Sequence, residues 1–365
     1  MTRGGSKSLP PGALSRIWAL MVKESRQLLR DRATLGILLG IPMLQIMLFG
    51  CAIELSPRTL PITLIAADSQ RFVRLQRLLE MNGLTAHLQQ SASRSAGLQL
   101  LRNGKTLILV DADSSPPIVY LDATDPVLST QADLLLDRLA HAVFGAVEED
   151  ATPSITVSHL YNSGARTQPF IVSGVLGVIL TMSLVMMSAL TLARERENGT
   201  LEGLLTTRVR AIELWAGKLA PYVVLGLVQA ACVIFIARFA FDIHPLGSLR
   251  LLAAATLVFA MANLALGFMF SCLARQQMQA MQMTFFFFLP SSLLSGFMFP
   301  FVAMPRWAQR LAEILPLTHY LRIVRGLILR GVDASFVVNE LWPIAVFTAS
   351  ATAASLFFWR RSIAP

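Results

Sequence analysis

The sequence predicts a polytopic α-helical membrane protein with six transmembrane helices and one α/β domain inserted between the first two. Hydrophobic residues make up 54% of the 365 residues and charged residues only 15%, against about 25% charged in a typical soluble domain. The apolar residues are concentrated in six segments long enough to cross a bilayer, which takes about 20 helical residues. By contrast, residues 54–168 have an ordinary soluble composition. The apolar segments are 33–53, 170–193, 219–237, 251–273, 278–301 and 341–359.

Residues 1–32 are expected to form a cytoplasmic tail followed by an amphipathic helix. Apolar side chains recur there at helical spacing, and basic side chains occupy mostly the other side. Such a helix suits the surface of an anionic leaflet. Arg30 and Arg32, directly before the first transmembrane helix (33–53), place the N-terminus in the cytoplasm. The apolar positions are Leu14, Ile17, Trp18, Met21, Leu28 and Leu29.

Residues 54–168 are expected to form an extracytoplasmic α/β domain, because the first span starts inside. Short apolar runs and longer helical patterns follow one another there, separated by the turn signals Asn82-Gly83 and Asn103-Gly104. The patterns predict strands at 60–66, 84–88, 106–110, 118–121 and 155–160, and helices at 72–81 and 128–147.

Residues 169–365 are expected to hold the other five transmembrane helices. Alternation from the first span places 194–217 and 275–277 inside and 244–249 and 305–339 outside, with both termini in the cytoplasm. The outer segment is unusually basic, and its charge alone would favour the opposite orientation for the last spans. We keep the alternation because all six apolar segments are clear and both chain ends are basic. The basic residues of the outer segment are Arg306, Arg310, Arg322, Arg325 and Arg330.

The end of the fifth span is expected to break near the outer surface. Pro290, Gly296 and Pro300 interrupt its apolar run, which favours a short re-entrant or interfacial piece. Two apolar stripes at helical spacing then follow, so residues 302–335 are predicted to form outer interfacial helices.

The sequence offers no chemistry of its own, and no catalytic or metal-ligating residues are predicted. Gly104-Lys105-Thr106 resembles the end of a phosphate-binding loop, but Gln99 stands where the first glycine is required. The five histidines and three cysteines are scattered and indicate neither a metal site nor a disulfide framework. Charged residues inside the spans are almost absent, which disfavours an ion-driven carrier. The net charge of +9 fits membrane topology better than nucleic-acid binding.

Polar and pliable side chains in the second and fifth spans are candidates for a translocation path. Gln279 and Gln282 share a helix face, and methionines or phenylalanines can accept varied apolar substrates. Hydrogen bonding between helices, ordinary packing and lipid contact remain open as alternatives. The candidates are Met182, Met186, Gln279, Gln282 and Phe286.

The segment 194–205 follows the second span with a dense mixture of both charges and a Gly199-Thr200 turn. Two arginines would suffice to end a span. We therefore interpret the segment as a short cytoplasmic helix, 197–205, presented to a partner, with a solvated charge cluster as the alternative.

The chain resembles the type-2 ABC-transporter permeases, in particular the bacterial multidrug-type subgroup with a large extracytoplasmic domain after the first span. Four stretches carry the resemblance, and together they reach from the amphipathic helix to the outer segment. They are 23–31; 160–162; 194–205 with Gly217-Lys218 and Pro221; and 295–300 with 304–305, 315–318, 325–326 and 330–331.

The resemblance implies roles for two groups of residues. The third stretch would be a coupling helix, within 194–214, that docks on an ATPase subunit, although Arg208 follows Thr207 where the family usually has proline. The fourth would form an outer gate with Gly296, Pro300 and Pro316. The implied docking residues are Arg194, Glu195, Glu197, Gly199, Thr200 and Glu202.

The resemblance also implies the function. The chain would be the permease subunit of an ATP-driven exporter in the bacterial inner membrane, moving an amphipathic or hydrophobic substrate such as a drug. Separate cytoplasmic ATPase subunits would use ATP and magnesium, and this chain would bind no cofactor. A second permease, identical or different, would complete the dimer in the lipid, and a periplasmic adaptor is a further expected partner.

Three other readings stay open at this stage. A membrane sensor or scaffold would use the external domain as a ligand receptor, but it needs a cytoplasmic output domain, and none stands between Arg194 and Gly217. A lipid or glycan export permease would share the present architecture. A secondary transporter needs a carboxylate inside the membrane, and Glu54 is the nearest candidate.

Overall fold

A computed structural model describes the larger part of the chain. The predicted first span 33–53 and the predicted helix 72–81 lie outside the described residues, as does nearly all of the predicted helix 128–147. The described residues are 13–30, 62–65, 88–90, 93–111, 114, 118–125, 129, 132, 156–161, 167–200, 211–301 and 304–363.

The chain between the first two predicted spans contains a five-stranded mixed sheet. Its order is β2-β1-β3-β4-β5, with β4 antiparallel to β3 and the other neighbours parallel. The strands follow the predicted patterns; the second begins at Leu88, the last residue of the predicted 84–88, whose other residues lie outside the described part of the chain. The strands are β1 (Ile62–Ile65), β2 (Leu88–Gln90), β3 (Ile108–Asp111), β4 (Ile118–Asp122) and β5 (Thr156–Leu160).

One helix of this domain, α2 (Arg94–Arg102), was not predicted from the sequence. Ser93 caps it by accepting a hydrogen bond from the amide of Ala96 at 3.3 Å, and Leu101 is fully buried against the sheet. A serine cap followed by leucines at helical spacing is the signal that could have identified it.

The rest of the described chain is helical. An amphipathic helix α1 (Ala13–Arg30) precedes the domain, and long helices dominate the part after it. Two short helices and a π-helical turn, Gly326–Arg330, lie within the segment predicted to be interfacial. The later helices are α3 (Thr167–Glu197), α4 (Ala211–Ala240), α5 (Leu249–Leu273), α6 (Gln277–Leu294), α7 (Arg306–Ala312), α8 (Pro316–Arg325) and α9 (Ala334–Ile363).

Four of the described helices, α3, α4, α5 and α9, are long and apolar enough to cross a membrane. The predicted fifth span, 278–301, needs correction. Its helix α6 has 18 residues and is about 27 Å long at 1.5 Å per residue. It ends at Leu294 because Gly296 adopts φ +86°, a left-handed conformation that ends the helix.

Helices α3 and α5 form the centre of the bundle. In each of them, 67% of the most apolar 18-residue stretch is buried inside the protein, against 39% in α4 and 17% in α9. The Ser188 hydroxyl donates to the Leu264 carbonyl at 2.6 Å, and the Ser271 hydroxyl accepts from the Leu192 amide at 2.8 Å. Small residues and interhelical hydrogen bonds of this kind drive helix association in lipid.

Gly267 on α5 packs directly against the backbone of α3, and its replacement tests the packing. A Cβ atom there would overlap the Val185 carbonyl oxygen. Gly267→Ala should therefore lower the free energy of unfolding by about 1–3 kcal/mol, the usual range for overpacking. The measurement is the thermal unfolding midpoint of the purified protein in detergent. Gly226→Ala is the control, since its new atom would meet only the flexible end of Leu184, at 3.1 Å, and equal losses would contradict this packing.

Candidate functional site

The bundle has two chemically distinct ends. At the α1 end, α1 packs against α4 beside the end of α3 and the start of α6. At the domain end, the sheet domain contacts the segment after α8, where the Arg330 guanidinium donates to the Asp122 carboxylate at 2.5 Å. The residues predicted for ATPase coupling lie at the α1 end, and those predicted for an outer gate lie at the domain end.

A buried charge cluster holds the α1 end together. Lys218 on α4 is only 1% exposed, and its ammonium group lies 2.9 Å from Glu195 on α3 and 3.6 Å from Glu24 on α1. Lys23 approaches Glu195 at 3.0 Å, and the Tyr222 hydroxyl donates to Glu24 at 3.1 Å. One lysine therefore joins three helices through two carboxylates.

This cluster corrects our expectation that few charges lie inside the bundle. Lys218 does not extend to the surface, and Glu24 is 6% exposed. A charge with so little water contact is stable only when it is paired, and removing one partner of a buried ion pair costs about 3–5 kcal/mol. The sequence signal was Glu24, which interrupts the apolar face of α1 about one turn after Leu20 and two turns after Ile17.

A short turn follows α3 and projects from this cluster. The Thr200 amide donates to the Glu195 carbonyl at 3.0 Å, and the Gly199 amide donates to the Arg196 carbonyl at 3.2 Å. Gly199 has φ +68° and no atom within 4 Å of a built Cβ, so backbone conformation and not crowding favours glycine there. Asn198, Gly199 and Thr200 are all exposed.

The last turn of α3 is also tied to the connection between α5 and α6. The Arg196 guanidinium donates to the Ala274 carbonyl, which ends α5. The Glu197 carboxylate accepts from the Gln277 amide at 2.7 Å and from its side-chain nitrogen at 2.5 Å. Glu197 thus caps the start of α6, where unpaired amides favour a negative charge.

The described coupling residues therefore separate into four positions. Glu195 points into the buried cluster, Glu197 caps α6, and half-buried Arg194 completes the last turn of α3. Gly199 and Thr200 lie on the exposed turn, and Glu202 lies outside the described residues. The predicted short helix 197–205 does not begin at Glu197, because Glu197 is the last residue of α3.

The predicted path residues differ in exposure, and Met186 on α3 packs in the same apolar cluster as Met281 on α6. Met182 and Met186 are half-buried on α3, whereas Gln282 and Phe286 are exposed on α6, with Phe286 83% accessible. Gln279 does not share their environment. Its side-chain oxygen accepts from the Arg275 amide at 2.8 Å and so closes the turn before α6.

At the domain end, the predicted gate residues lie around the break after α6. Gly296 and Pro300 line a cavity between the bundle and the domain, and the Gly296 carbonyl accepts from Arg325 at 3.1 Å. Pro316 is buried at the first position of α8, which its fixed φ favours. The domain is attached there by Arg330 to Asp122 and by Arg102 to Asp333, the latter at 3.4 Å.

A second buried polar group connects α8 to α9. The imidazole Nδ1 of His319 lies 2.6 Å from the Glu340 carboxylate, and its Nε2 lies 2.9 Å from the Glu313 carbonyl. Burial lowers the pKa of His319, but hydrogen bonds to Glu340 and to Glu313 outweigh it, so the pKa is raised above its usual value. Arg322 lies 3.6 Å from Glu340 and opposes this change.

The fold and these two ends define a polytopic helical membrane protein with an exposed turn at one end and an attached α/β domain at the other. Residues 32–359 match the family described as ABC-2 family transporter protein. The chain belongs to this family, and the resemblance inferred from the sequence is confirmed. It is a permease subunit of an ABC exporter, a membrane transport component that works with ABC ATPase subunits.

Relatives of known name are similar over most of the chain. The "Probable multidrug ABC transporter permease YbhR" of Escherichia coli K12 is 28% identical over 95% of this chain and 99% of its own length. The corresponding YbhS protein is 29% identical, over 90% and 93% respectively. The "Linearmycin resistance permease protein LnrN" of Bacillus subtilis is 25% identical over 59% of this chain and 56% of its own.

The buried lysine can be tested against its exposed neighbour in the same cluster. Lys218→Met should lower the free energy of unfolding by about 3–5 kcal/mol, because two carboxylates lose their shared cation. Lys23→Met removes a lysine that is 52% exposed and should cost at most about 1 kcal/mol. Thermal unfolding in detergent measures both, and similar losses for the two variants would contradict a central role for Lys218.

The histidine group predicts a pH dependence at the domain end. Because the folded-state pKa of His319 is raised, protonation stabilises the fold fully below the unfolded pKa of about 6.5 and is lost as pH rises through the folded value. The thermal unfolding midpoint should therefore decrease as the pH is raised from 6 to 9. His319→Gln should remove the contribution of this histidine to that decrease. An unchanged slope in His319→Gln would show that another group titrates.

Proposed function

We propose that this chain is the permease of an ATP-driven exporter in the bacterial inner membrane, and that its ATPase binds the segment 194–214, which contains the exposed Asn198–Thr200 turn. The observation that carries the proposal is the position of the exposed Asn198–Thr200 turn directly on the buried Lys218 cluster. Its residue Thr200 is bonded to the backbone of Glu195, and the Glu195 side chain binds Lys218.

This arrangement converts a push on the turn into movement of several helices. Glu195 connects the turn to α4 through Lys218 and to α1 through Lys23. Arg196 and Glu197 connect it to α5 and α6. A partner that closes on ATP would thus move the end of α3 together with the ends of α1, α4, α5 and α6.

The proposed topology has six spans, with the α1 end in the cytoplasm and the α/β domain outside. Basic residues collect around the α1 end, as the positive-inside rule requires. In this topology, 33–53 is the first span and α6, with its broken end, is the fifth, in addition to the four spans α3, α4, α5 and α9. The basic residues at the α1 end include Lys23, Arg26, Arg194, Arg196 and Arg275.

The proposed substrate is amphipathic or hydrophobic, consistent with relatives named for multidrug transport and linearmycin resistance. A second permease, identical or different, would cover the apolar face of α6, where Phe285, Phe286 and Leu289 are exposed. The partner ATPase subunits supply the ATP and magnesium chemistry. The external domain is the surface available to a periplasmic adaptor.

Co-purification from the native host tests the coupling surface. Asn198→Arg/Thr200→Arg adds two bulky charges at exposed positions, so the bundle should stay folded while ATPase contact is lost. We expect an ABC ATPase subunit, identified by mass spectrometry, to accompany the wild type and to fall at least about tenfold in the variant, as for a contact worth 1.4 kcal/mol or more.

Arg250→Glu is the matched control, since Arg250 is exposed at the domain end of α5. It should keep the ATPase. Retention of the ATPase by the Asn198/Thr200 variant would rule out this turn as the docking surface. Absence of any ATPase from the folded wild type would argue against the exporter assignment itself.

A further inference from the structure

A cavity of about 380 Å³ lies where the α/β domain meets the outer helices. The domain contributes Lys105 and Asp122 to its wall, and the bundle contributes residues from α3, from the break after α6, and from α8 and α9. None of the roles predicted from the sequence involves the charged residues that line this cavity. These residues belong neither to the buried Lys218 cluster nor to the Asn198–Thr200 turn.

The cavity carries three arginines, of which two are neutralised by carboxylates. Arg330 binds Asp122 at 2.5 Å, and Arg322 binds Glu313 at 2.6 Å. Arg325 differs from both, because no described carboxylate lies within ion-pair distance of it, although Asp125, which also lines the cavity, interacts with it electrostatically. The Arg325 guanidinium instead donates to the Gly296 carbonyl and lies 3.9 Å above the Phe170 ring.

Arg325 is also incompletely hydrogen-bonded. Its Nε atom is buried and has no hydrogen-bond partner among the described residues. A half-buried guanidinium that is not paired directly with a carboxylate carries a charge that a bound anion can neutralise. Arginine offers two parallel donors to phosphate or carboxylate oxygens, the geometry in which such contacts are strongest.

The rest of the lining fits an anion attached to an apolar body. Phe170, Phe301 and Phe336 supply aromatic surface next to the arginines, and Arg322 already lies 4.6 Å from the Phe301 ring. Lys105 is exposed at the mouth, in the turn after α2, and adds a positive charge on the side from which a ligand would enter.

We propose that this cavity binds a phosphate-bearing anion, with Arg325 as its principal charge partner and Lys105 at its mouth. The phosphate comes either from the headgroup of an anionic phospholipid or from a free phosphate compound. Occupation would fill the junction between the domain and the gate helices and so fix their relative position. This site does not depend on ATP or on the export function.

Thermal unfolding of the purified full chain in a non-ionic detergent tests the site. The probes are phosphatidylglycerol, phosphatidylcholine with the same acyl chains, and inorganic phosphate. Phosphatidylglycerol should raise the wild-type midpoint by about 3 °C through preferential binding to the folded state, and phosphatidylcholine should not. A shift with inorganic phosphate alone would assign the site to a free phosphate.

Arg325→Gln should abolish the shift while keeping a hydrogen bond to Gly296 within reach. Arg310→Gln is the matched control, since Arg310 is an exposed arginine on the neighbouring helix α7, and it should keep the full shift. If Arg325→Gln does not fold, Lys105→Glu serves as the test variant. Lys105 is exposed, so this variant should fold and should reduce the shift of the midpoint at least by half. An undiminished shift in the folded Arg325→Gln or, failing that, in Lys105→Glu would overturn the proposal, as would a wild type that responds to no phosphate probe.

Discussion

The ammonium group of Lys218 is the contact on which the arrangement of the α1 end depends. It lies between carboxylates from α1 and α3 with almost no access to water. Separation of α1 or α3 would remove one of the two carboxylates from this buried charge, and separation of α4 would remove the lysine from both, so each separation is costly. A membrane bundle otherwise relies on small-residue packing, as between α3 and α5, which permits sliding more readily than a fixed ion pair does.

The domain end uses charge differently. There the contacts of Arg330 with Asp122 and of Arg102 with Asp333 join two separately folded parts, and the second is largely exposed. Exposed pairs contribute little and are screened by salt, whereas Asp122 is only 2% exposed in its pair with Arg330, so this one ion pair contributes most to the junction. In the proposed topology, the end held by Lys218 would face the cytoplasm, and the end joined to the α/β domain by Arg330 and Asp122 would face outward.

The sequence was sufficient for the class, the long helices of the described residues and most strands, because apolar length and alternation are local properties, whereas the helix Arg94–Arg102 was missed. The family followed from motifs such as 194–205. Three-dimensional placement was harder to predict. Glu195 and Glu197 are two residues apart in one motif, yet one enters the buried cluster and the other caps α6. Only the neighbours brought by α1, α4 and α6 distinguish them. Similarly, the helical spacing of Gln279 and Gln282 predicted a path. That spacing does not show that the Gln279 side chain contacts the backbone of Arg275.

The most direct test of a rigid α1 end is a disulfide between Leu20→Cys and Gly217→Cys in a background with the native cysteines replaced. A Cβ built on Gly217 lies 2.8 Å from that of Leu20, so a small shift reaches the disulfide separation of about 3.8 Å. If α1 and α4 move as one unit, the oxidised permease in complex with its ATPase should hydrolyse ATP at the rate of the reduced form. A rate lost on oxidation and restored by reduction would show that the two helices must move apart, and would contradict this account.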